Sequence, residues 1–183
     1  MTPPQTIELV VSLRVPDVVA ATALRALKDR LDFDKSLHGL RRHDYHRLEI
    51  DNGDDTRARQ LARALIEKTT TFVNPNKHSY SIKLDGQYLV PAKSTPELPD
   101  GVRTVRFLVL PDETEDSTAA VELLRRKLGE PAISSLSSGV LWELFIRADD
   151  DREARKTALD IAVARERDKG LLLNPHYQRY EIL

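Results

Sequence analysis

The chain contains no cysteine in its 183 residues. This absence excludes disulfides, thiol nucleophiles and thiolate metal ligands, and it fits a reducing compartment such as the cytoplasm. Only 5% of the residues are aromatic. The chain therefore supplies few of the exposed rings that an RNA-binding sheet uses for stacking. The seven glycines occur singly, and none belongs to a phosphate-binding loop.

The chain also lacks an excess of either charge and any long apolar run. Its 28 basic and 29 acidic residues leave a net charge of −1, so no field that attracts nucleic acid or an anionic membrane is expected. The apolar run at residues 7–13 is too short to span a membrane, and no cationic segment precedes it. These features predict a cytoplasmic chain with no nucleic-acid partner and no membrane partner.

One phrase occurs twice, 100 residues apart. It reads NPNKHSYSI at residues 74–82 and NPHYQRYEI at residues 174–182. The shared positions are Asn74, Pro75, Tyr80 and Ile82 in the first copy and Asn174, Pro175, Tyr180 and Ile182 in the second. Each copy follows a helical pattern and closes half of the chain. The phrase therefore predicts a tandem duplication.

Upstream segments support the duplication at an offset of 96. LEID at residues 48–51 matches LFIR at 144–147, and DTRAR at 55–59 matches DREAR at 151–155. The second half thus carries four extra residues before its Asn-Pro, about one helical turn. We expect this insertion to lengthen the last helix. The predicted repeats span residues 1–84 and 104–183, and a proline-containing linker spans residues 85–103.

Each half is predicted to have the order β-α-β-α-β. In the first half, strands at 7–13, 45–51 and 80–84 alternate with helices that begin near Asp17 and Asp54, and residues 32–44 form a loop. In the second half, strands at 104–110 and 140–146 flank a helix capped by Asp116 or Ser117 and closed by Gly129. The second half also contains a loop at 134–139 and a helix that runs from Asp150 to about residue 170. Asp150 and Glu153 are predicted to form a capping box at the start of this helix.

This order predicts an α+β fold in which helices pack against an antiparallel or mixed sheet. Since each half offers only three strands, we expect the halves to pack together as a pseudo-twofold intramolecular dimer. Residues 87–90, at the start of the linker, are expected to extend a hairpin. In the first helix, one apolar stripe is expected to face the core, formed by Ala20, Ala23, Leu24, Leu27 and Leu31.

Three polar clusters invite a chemical interpretation. His43 and His46 are the densest pair of metal-ligand types, but in a strand they point to opposite faces. The aspartates at 54–55 and 149–151 precede helices, and capping explains them without an ion. The serine-rich segment 134–139 lacks the glycine-framed turn of a nucleophile. No catalytic residue, cofactor or metal is therefore predicted, and whether the chain belongs to an enzyme is left open.

The repeated segments carry a resemblance to one family. A first strand LVVSL at residues 9–13, a middle strand YHRLEI at 45–50, and a segment from Glu67 and Lys68 through Asn-Pro to Tyr80 and Ile82 resemble PurS. PurS is the small subunit of phosphoribosylformylglycinamidine (FGAM) synthase. The second half is similar through LWELFI at 141–146 and its own Asn-Pro, Tyr and Ile. The chain thus resembles two PurS repeats fused into one polypeptide.

The resemblance implies a non-catalytic subunit of a ligase complex in purine biosynthesis. It would bridge the glutaminase subunit and the large, ATP-dependent synthetase subunit of FGAM synthase, and assist ammonia transfer between them by protein–protein interaction. Further self-association stays open. The alternative is a tandem α+β regulatory module that binds a small metabolite between its halves.

The repeated phrase itself is expected to be structural. Pro75 and Pro175 are predicted to end the preceding helices, and each Asn to adopt the left-handed conformation or to cap the last carbonyls. Tyr and Ile, two residues apart, should share one face of a strand. We expect Tyr80 and Tyr180 to cover the core or the seam between halves, with each hydroxyl bonded to a polar partner.

Overall fold

The computed structural model describes residues 4–51, 54–92, 97–112, 117–165 and 170–183. The first half contains β1 (Gln5–Leu13), α1 (Val18–Arg30), β2 (Leu37–Ile50), α2 (Asp55–Glu67), β3 (His78–Leu84) and β4 (Gln87–Val90). The second half contains β5 (Val102–Pro111), α3 (Thr118–Leu128), β6 (Ile133–Arg147), α4 (Asp151–Ala162) and β7 (Gln178–Ile182). The predicted α+β class and the repeated β-α-β-α-β order are both confirmed.

The described strands form an antiparallel sheet in the order β4-β3-β1-β2-β6-β5-β7. In the first repeat, β1 lies between β2 and β3. In the second repeat, β5 lies between β6 and β7 in the same way. The first strand of each repeat is therefore the central one of its repeat, as its mostly apolar sequence favours.

The chain forms two compact units, and each takes segments from both repeats. Unit 1 comprises residues 1–15, 44–95 and 113–139, and unit 2 comprises residues 16–43, 96–112 and 140–183. The long strands β2 and β6 each supply one half to unit 1 and the other half to unit 2. Helix α1 of the first repeat therefore belongs to unit 2, and α3 of the second repeat to unit 1.

Each unit has its own apolar core between helices and one face of its strands. In unit 1, α2 and α3 contribute Leu61, Leu65 and Leu124 to a cluster with Leu9 and Ile82. In unit 2, α1 and α4 pack on strand residues of β5 and β6; the buried members include Leu27, Phe107, Trp142, Leu144 and Ile161. The predicted stripe of α1 is confirmed, since Ala20 and Leu27 are buried and Ala23, Leu24 and Leu31 pack beside them.

Aspartates begin three of the helices, as predicted. The Asp17 carboxylate accepts hydrogen bonds from the amides of Val19 and Ala20, and the Asp54 carboxylate accepts one from Arg57. Asp150 accepts from the Glu153 amide, and the Glu153 carboxylate accepts in return from the amide of residue 149. These bonds satisfy first-turn amides that have no helical partner.

At α3, Ser117 occupies the cap position without a side-chain cap bond, and the alternative cap, Asp116, lies outside the described residues. Gly129 closes the helix in the left-handed conformation at φ 65°, as predicted. The predicted hairpin at residues 87–90 is present as β4, which pairs with β3. Asp85 and Gly86 both have positive φ, which suits a tight hairpin turn. None of the described helices is long and apolar enough to cross a membrane.

Two predicted loops are strands. Residues 37–44 belong to β2, and residues 134–139 belong to β6. The polarity of these segments misled the prediction because their polar side chains are satisfied across the sheet. Ser135 donates to the Glu49 carboxylate at 3.0 Å, and Ser138 lies 2.8 Å from a ring nitrogen of His46.

The predicted extension of α4 is also wrong. The helix ends at Ala162 and is no longer than α2. The chain then doubles back: the amides of Leu171 and Leu173 donate to the carbonyls of Ile161 and Ala162, and Val163 bridges Leu173. Residues 166–169 of the predicted helix lie outside the described residues. The four extra residues of the second repeat therefore lie after its helix.

Candidate functional site

The first Asn-Pro phrase forms a compact turn that leads into β3. The Asn74 side-chain oxygen accepts a hydrogen bond from the Asn76 amide at 3.0 Å. The Asn74 carbonyl accepts from the amides of Lys77 and His78, at 3.0 and 2.8 Å. The Asn74 amide donates to Nδ1 of His78 at 3.2 Å. Side chain and backbone of one asparagine therefore close the turn from both ends.

The second phrase builds the same turn with a different closing residue. The Asn174 side-chain oxygen accepts from the His176 amide at 3.0 Å, and its carbonyl accepts from the Tyr177 amide at 3.1 Å. The Asn174 amide donates to the side-chain oxygen of Gln178 at 3.0 Å. Gln178 thus takes the role of His78. The turn requires an acceptor four residues after the asparagine, which either residue type provides.

These turns correct two predictions about the phrase. Pro75 and Pro175 do not end helices, because α2 ends at Glu67 and α4 ends at Ala162. Neither asparagine adopts a positive φ, and neither side chain caps a helix. The asparagine acts instead on the strand side, where its carboxamide orders the turn that starts β3 or β7.

Tyrosine and isoleucine of the phrase share one face, as predicted, in the same register in both units. Tyr80 and Ile82 lie opposite Val11 and Leu9 of β1. In unit 2, Tyr180 and Ile182 lie opposite Val109 and Phe107 of β5. All four partners are buried. The phrase therefore presents its apolar side chains toward the helix-covered face of each unit.

The two tyrosines differ in exposure. Tyr80 is half-buried against the unit 1 core, whereas Tyr180 is 37% exposed and stacks on Phe107 with ring centroids 4.8 Å apart. The predicted partners for the hydroxyls are not found: among the described residues, neither hydroxyl has a hydrogen-bond partner. Both tyrosines act through their rings, and partial exposure leaves the hydroxyls to solvent.

A polar group lies on the other face of the strands in unit 1. The buried Tyr45 hydroxyl donates to the Glu8 carboxylate at 2.5 Å and accepts from Nε of Arg47 at 3.0 Å. Arg47 also approaches Glu8 at 3.8 Å across β1 and β2. Burial, and then the hydrogen bond to Glu8, raise the pKa of Tyr45 well above its usual value. The phenol therefore stays protonated and acts as a donor.

Unit 2 has a second polar group at the equivalent place. Nε of Arg106 donates to the Glu143 carboxylate at 3.0 Å, and a ring nitrogen of His43 lies 3.3 Å from its other oxygen. Burial acts to raise the pKa of Glu143, but the hydrogen bonds from His43 and Arg106 outweigh it and lower that pKa to about 2. Glu143 is therefore a carboxylate at neutral pH.

Unit 1 also contains an ion pair between Arg57 and Glu130. Arg57 donates two hydrogen bonds to the Glu130 carboxylate, at 2.8 and 2.6 Å, and the Ala132 amide donates a third. Glu130 is only 9% exposed, and burial acts to raise its pKa, but these hydrogen bonds outweigh it and lower that pKa. The pair links α2 to the connection between α3 and β6, so its effect is structural.

The histidines singled out in the sequence are separated by the sheet. His43 bonds Glu143 in unit 2, while His46 bonds Ser138 in unit 1 and packs on Phe72 with ring centroids 4.4 Å apart. Burial lowers the pKa of His46. Within the part of the chain that the structure describes, no three His, Asp or Glu side chains are grouped to hold a metal ion.

The sequence analysis named His43 but predicted neither of the two sheet-face groups, which are Glu8, Tyr45 and Arg47 in unit 1 and His43, Arg106 and Glu143 in unit 2. Their signal was nevertheless present, because a charged residue interrupts each central strand at the same place, Glu8 in β1 and Arg106 in β5. The opposite charge occurs at the matching place of the next strand, as Arg47 and Glu143. In both groups the carboxylate is held by donors of its own unit, which fixes strand register and orders the face.

No protein-family model matches this chain, and no curated protein matches it significantly.

Proposed function

We propose that this chain is a non-catalytic bridging subunit of the PurS type, in which two repeats are fused into one polypeptide. In this role it joins the glutaminase subunit of FGAM synthase to the large ATP-dependent synthetase subunit. The expected location is the cytoplasm, where purine biosynthesis supplies both partners.

One observation carries the proposal. Each compact unit is built from both repeats, because α1 of the first repeat packs with α4 in unit 2 and α3 of the second repeat packs with α2 in unit 1. This exchange is what the fusion of two intertwined small subunits would produce. The two Asn-Pro turns, which share their hydrogen bonds and their strand register, support the same origin.

The sheet-face groups support a binding role. Their carboxylates are mostly covered and hold Arg47 and Arg106, whose side chains are 28% and 41% exposed and so present fixed positive charges to a partner surface. Fixed charges on rigid strands favour specific association, since little side-chain freedom is lost on binding. Bridging requires such surfaces more than it requires a reactive group.

The test is reconstitution with the glutaminase and synthetase subunits of the source organism. We expect this chain to co-elute with both, and to raise amidation driven by glutamine. Amidation driven by added ammonium salt should be unchanged, because the synthetase then needs no ammonia from the glutaminase subunit. Failure of the chain to bind either subunit, or glutamine-driven amidation that is equal without it, would refute the proposal.

A further inference from the structure

Strand β7 lies at one edge of the sheet. Among the described residues, β5 is the one strand that pairs with it. The equivalent strand of the first repeat, β3, lies between β1 and β4. Among the described strands, this third strand of the repeat is therefore paired on both sides in the first repeat and on one side in the second. An exposed edge of this kind is a ready template for another strand.

The backbone hydrogen bonds show which residues of β7 point outward. The Leu183 amide donates to the Arg106 carbonyl at 3.0 Å, and the Tyr177 carbonyl accepts from the Asp112 amide at 3.3 Å. Backbone groups alternate along an antiparallel strand, so the odd-numbered residues of β7 face β5. The amides and carbonyls of Gln178, Tyr180 and Ile182 are thereby directed away from the sheet.

The sequence of β7 is complementary to itself. When two copies run antiparallel and are centred on Tyr180, each Gln178 lies opposite the other copy's residue 182. The pairs at 178/182 and 180/180 are then the hydrogen-bonded ones, in agreement with the outward backbone groups. Each Arg179 lies opposite the other copy's residue 181, a glutamate, in a non-hydrogen-bonded pair, where side chains approach most closely.

We propose that β7 is the docking edge for a second copy of this chain, which pairs antiparallel about Tyr180 and continues the sheet. Exposed apolar side chains surround this edge and would be covered, since Tyr177 is 73%, Leu183 51% and Tyr180 37% exposed. The opposite charges at positions 179 and 181 select this register over a slipped one. The proposal rests on the fold alone and holds whether or not the chain bridges synthase subunits.

Charge reversal provides the main test, by sedimentation velocity over a concentration series. The original chain should dimerise. Arg179→Glu alone should weaken the dimer roughly tenfold or more, because both cross-strand pairs become repulsive, and so should Glu181→Arg alone. An equimolar mixture of the two variants should dimerise as well as the original chain, since each repulsive pair becomes attractive. A folding defect in either variant would not be repaired by mixing the two. Recovery of the dimer in the mixture would therefore show that positions 179 and 181 of different chains are in contact.

A backbone variant tests the edge itself. Tyr180→Pro removes an outward amide and leaves the pairing with β5 intact, as proline requires at an edge strand. It should abolish the dimer while circular dichroism shows a folded chain. The proposal is overturned if the original chain is a monomer at its highest soluble concentration, as expected if another protein's strand occupies β7. It is also overturned if the dimer survives Tyr180→Pro, or if the mixed variants stay monomeric.

Discussion

The two units carry the same cross-strand ion pair with opposite polarity. In unit 1 the acid Glu8 is on the central strand and the base Arg47 is on its neighbour. In unit 2 the base Arg106 is central and the acid Glu143 is on the neighbour. The position therefore requires opposite charges but not a particular acid or base, since attraction depends on the product of the charges. Two repeats can diverge completely in sequence here and keep the interaction.

The surroundings of the pair make the two units unequal. Besides its arginine, the Glu8 carboxylate is contacted by a phenol, Tyr45, whereas the Glu143 carboxylate is contacted by an imidazole, His43. Glu143 is also more deeply buried, with a side chain 11% exposed compared with 20% for Glu8. The more buried acid of the two pairs is therefore Glu143, which lies on the neighbouring strand and not on the central one. We expect unit 2 to be the acid-sensitive unit.

The largest expected effect tests the exchange of helices. Leu27 of α1 and Leu124 of α3 are both fully buried. Either Leu→Ala substitution should cost roughly 3 to 4 kcal/mol of unfolding free energy, the usual cost of such a cavity. Hydrogen exchange should distinguish them: Leu27→Ala should expose amides of β5 and α4, and Leu124→Ala those of β1 and α2. Faster hydrogen exchange in β1 and α2 for Leu27→Ala would contradict the packing of α1 in unit 2.

Acid titration tests the inequality of the ion pairs. The folded pKa of Glu143, about 2, lies below its ordinary value of 4.5. Ionised Glu143 therefore stabilises the fold above pH 4.5, and this stabilisation, roughly 2 to 3 kcal/mol, is lost as the pH falls through 2. Denaturant midpoints measured from pH 7 to 2 should fall less with decreasing pH in Glu143→Gln than in the original chain. Glu8→Gln, which removes the equivalent acid of unit 1, is the matched control for removing an acid from a cross-strand pair.

The tyrosines of the repeated phrase give a smaller difference. Tyr80→Ala should cost roughly 2 kcal/mol and lower the melting temperature, because the ring packs on the unit 1 core. Tyr180→Ala should cost about 1 kcal/mol, since its more exposed ring loses chiefly the stacking on Phe107. Thermal melts at low concentration compare them. If Tyr80→Ala melts normally yet fails to bind the synthase subunits, the phrase is a docking element instead.

The smallest effect concerns coupling within each ion pair. A double-mutant cycle with Arg106→Met and Glu143→Gln should give about 1 kcal/mol, and one with Arg47→Met and Glu8→Gln about 0.5 kcal/mol. The shorter contact, 3.0 Å compared with 3.8 Å, accounts for the order. Urea unfolding of the four single and two double variants provides the energies. Equal coupling energies would show that the contact distance does not set the relative strength of the two ion pairs.

Local signals in the sequence predicted the elements well. Aspartate caps, Gly129 and the apolar stripe of α1 each act within a few residues, so a single sequence exposes them. Polar segments failed because polarity does not distinguish a loop from a strand whose side chains find partners across the sheet. Ser135 and Ser138 illustrate this, as their partners Glu49 and His46 are about 90 residues away.

The site was predicted less well than the fold. The equivalence of the Asn-Pro phrases was correct, but the contacts of Asn74 depend on His78, and those of Asn174 on Gln178, which share no residue type. The helix–loop boundary before each phrase was wrong because the proline was taken as the point where the helix stops. The charge pairs need strand register, which follows from the partner strand and not from the segment itself.

The division of both long strands between the units has a consequence for biosynthesis. Unit 1 needs residues up to 139 and unit 2 needs residues up to 183. A ribosome that has released only the first repeat has therefore completed neither core, and the apolar face of α1 must wait for β5, β6 and α4. Contacts this distant in sequence form late, because long loops must close first. The nascent first repeat is thus the stage at which this chain most needs a chaperone.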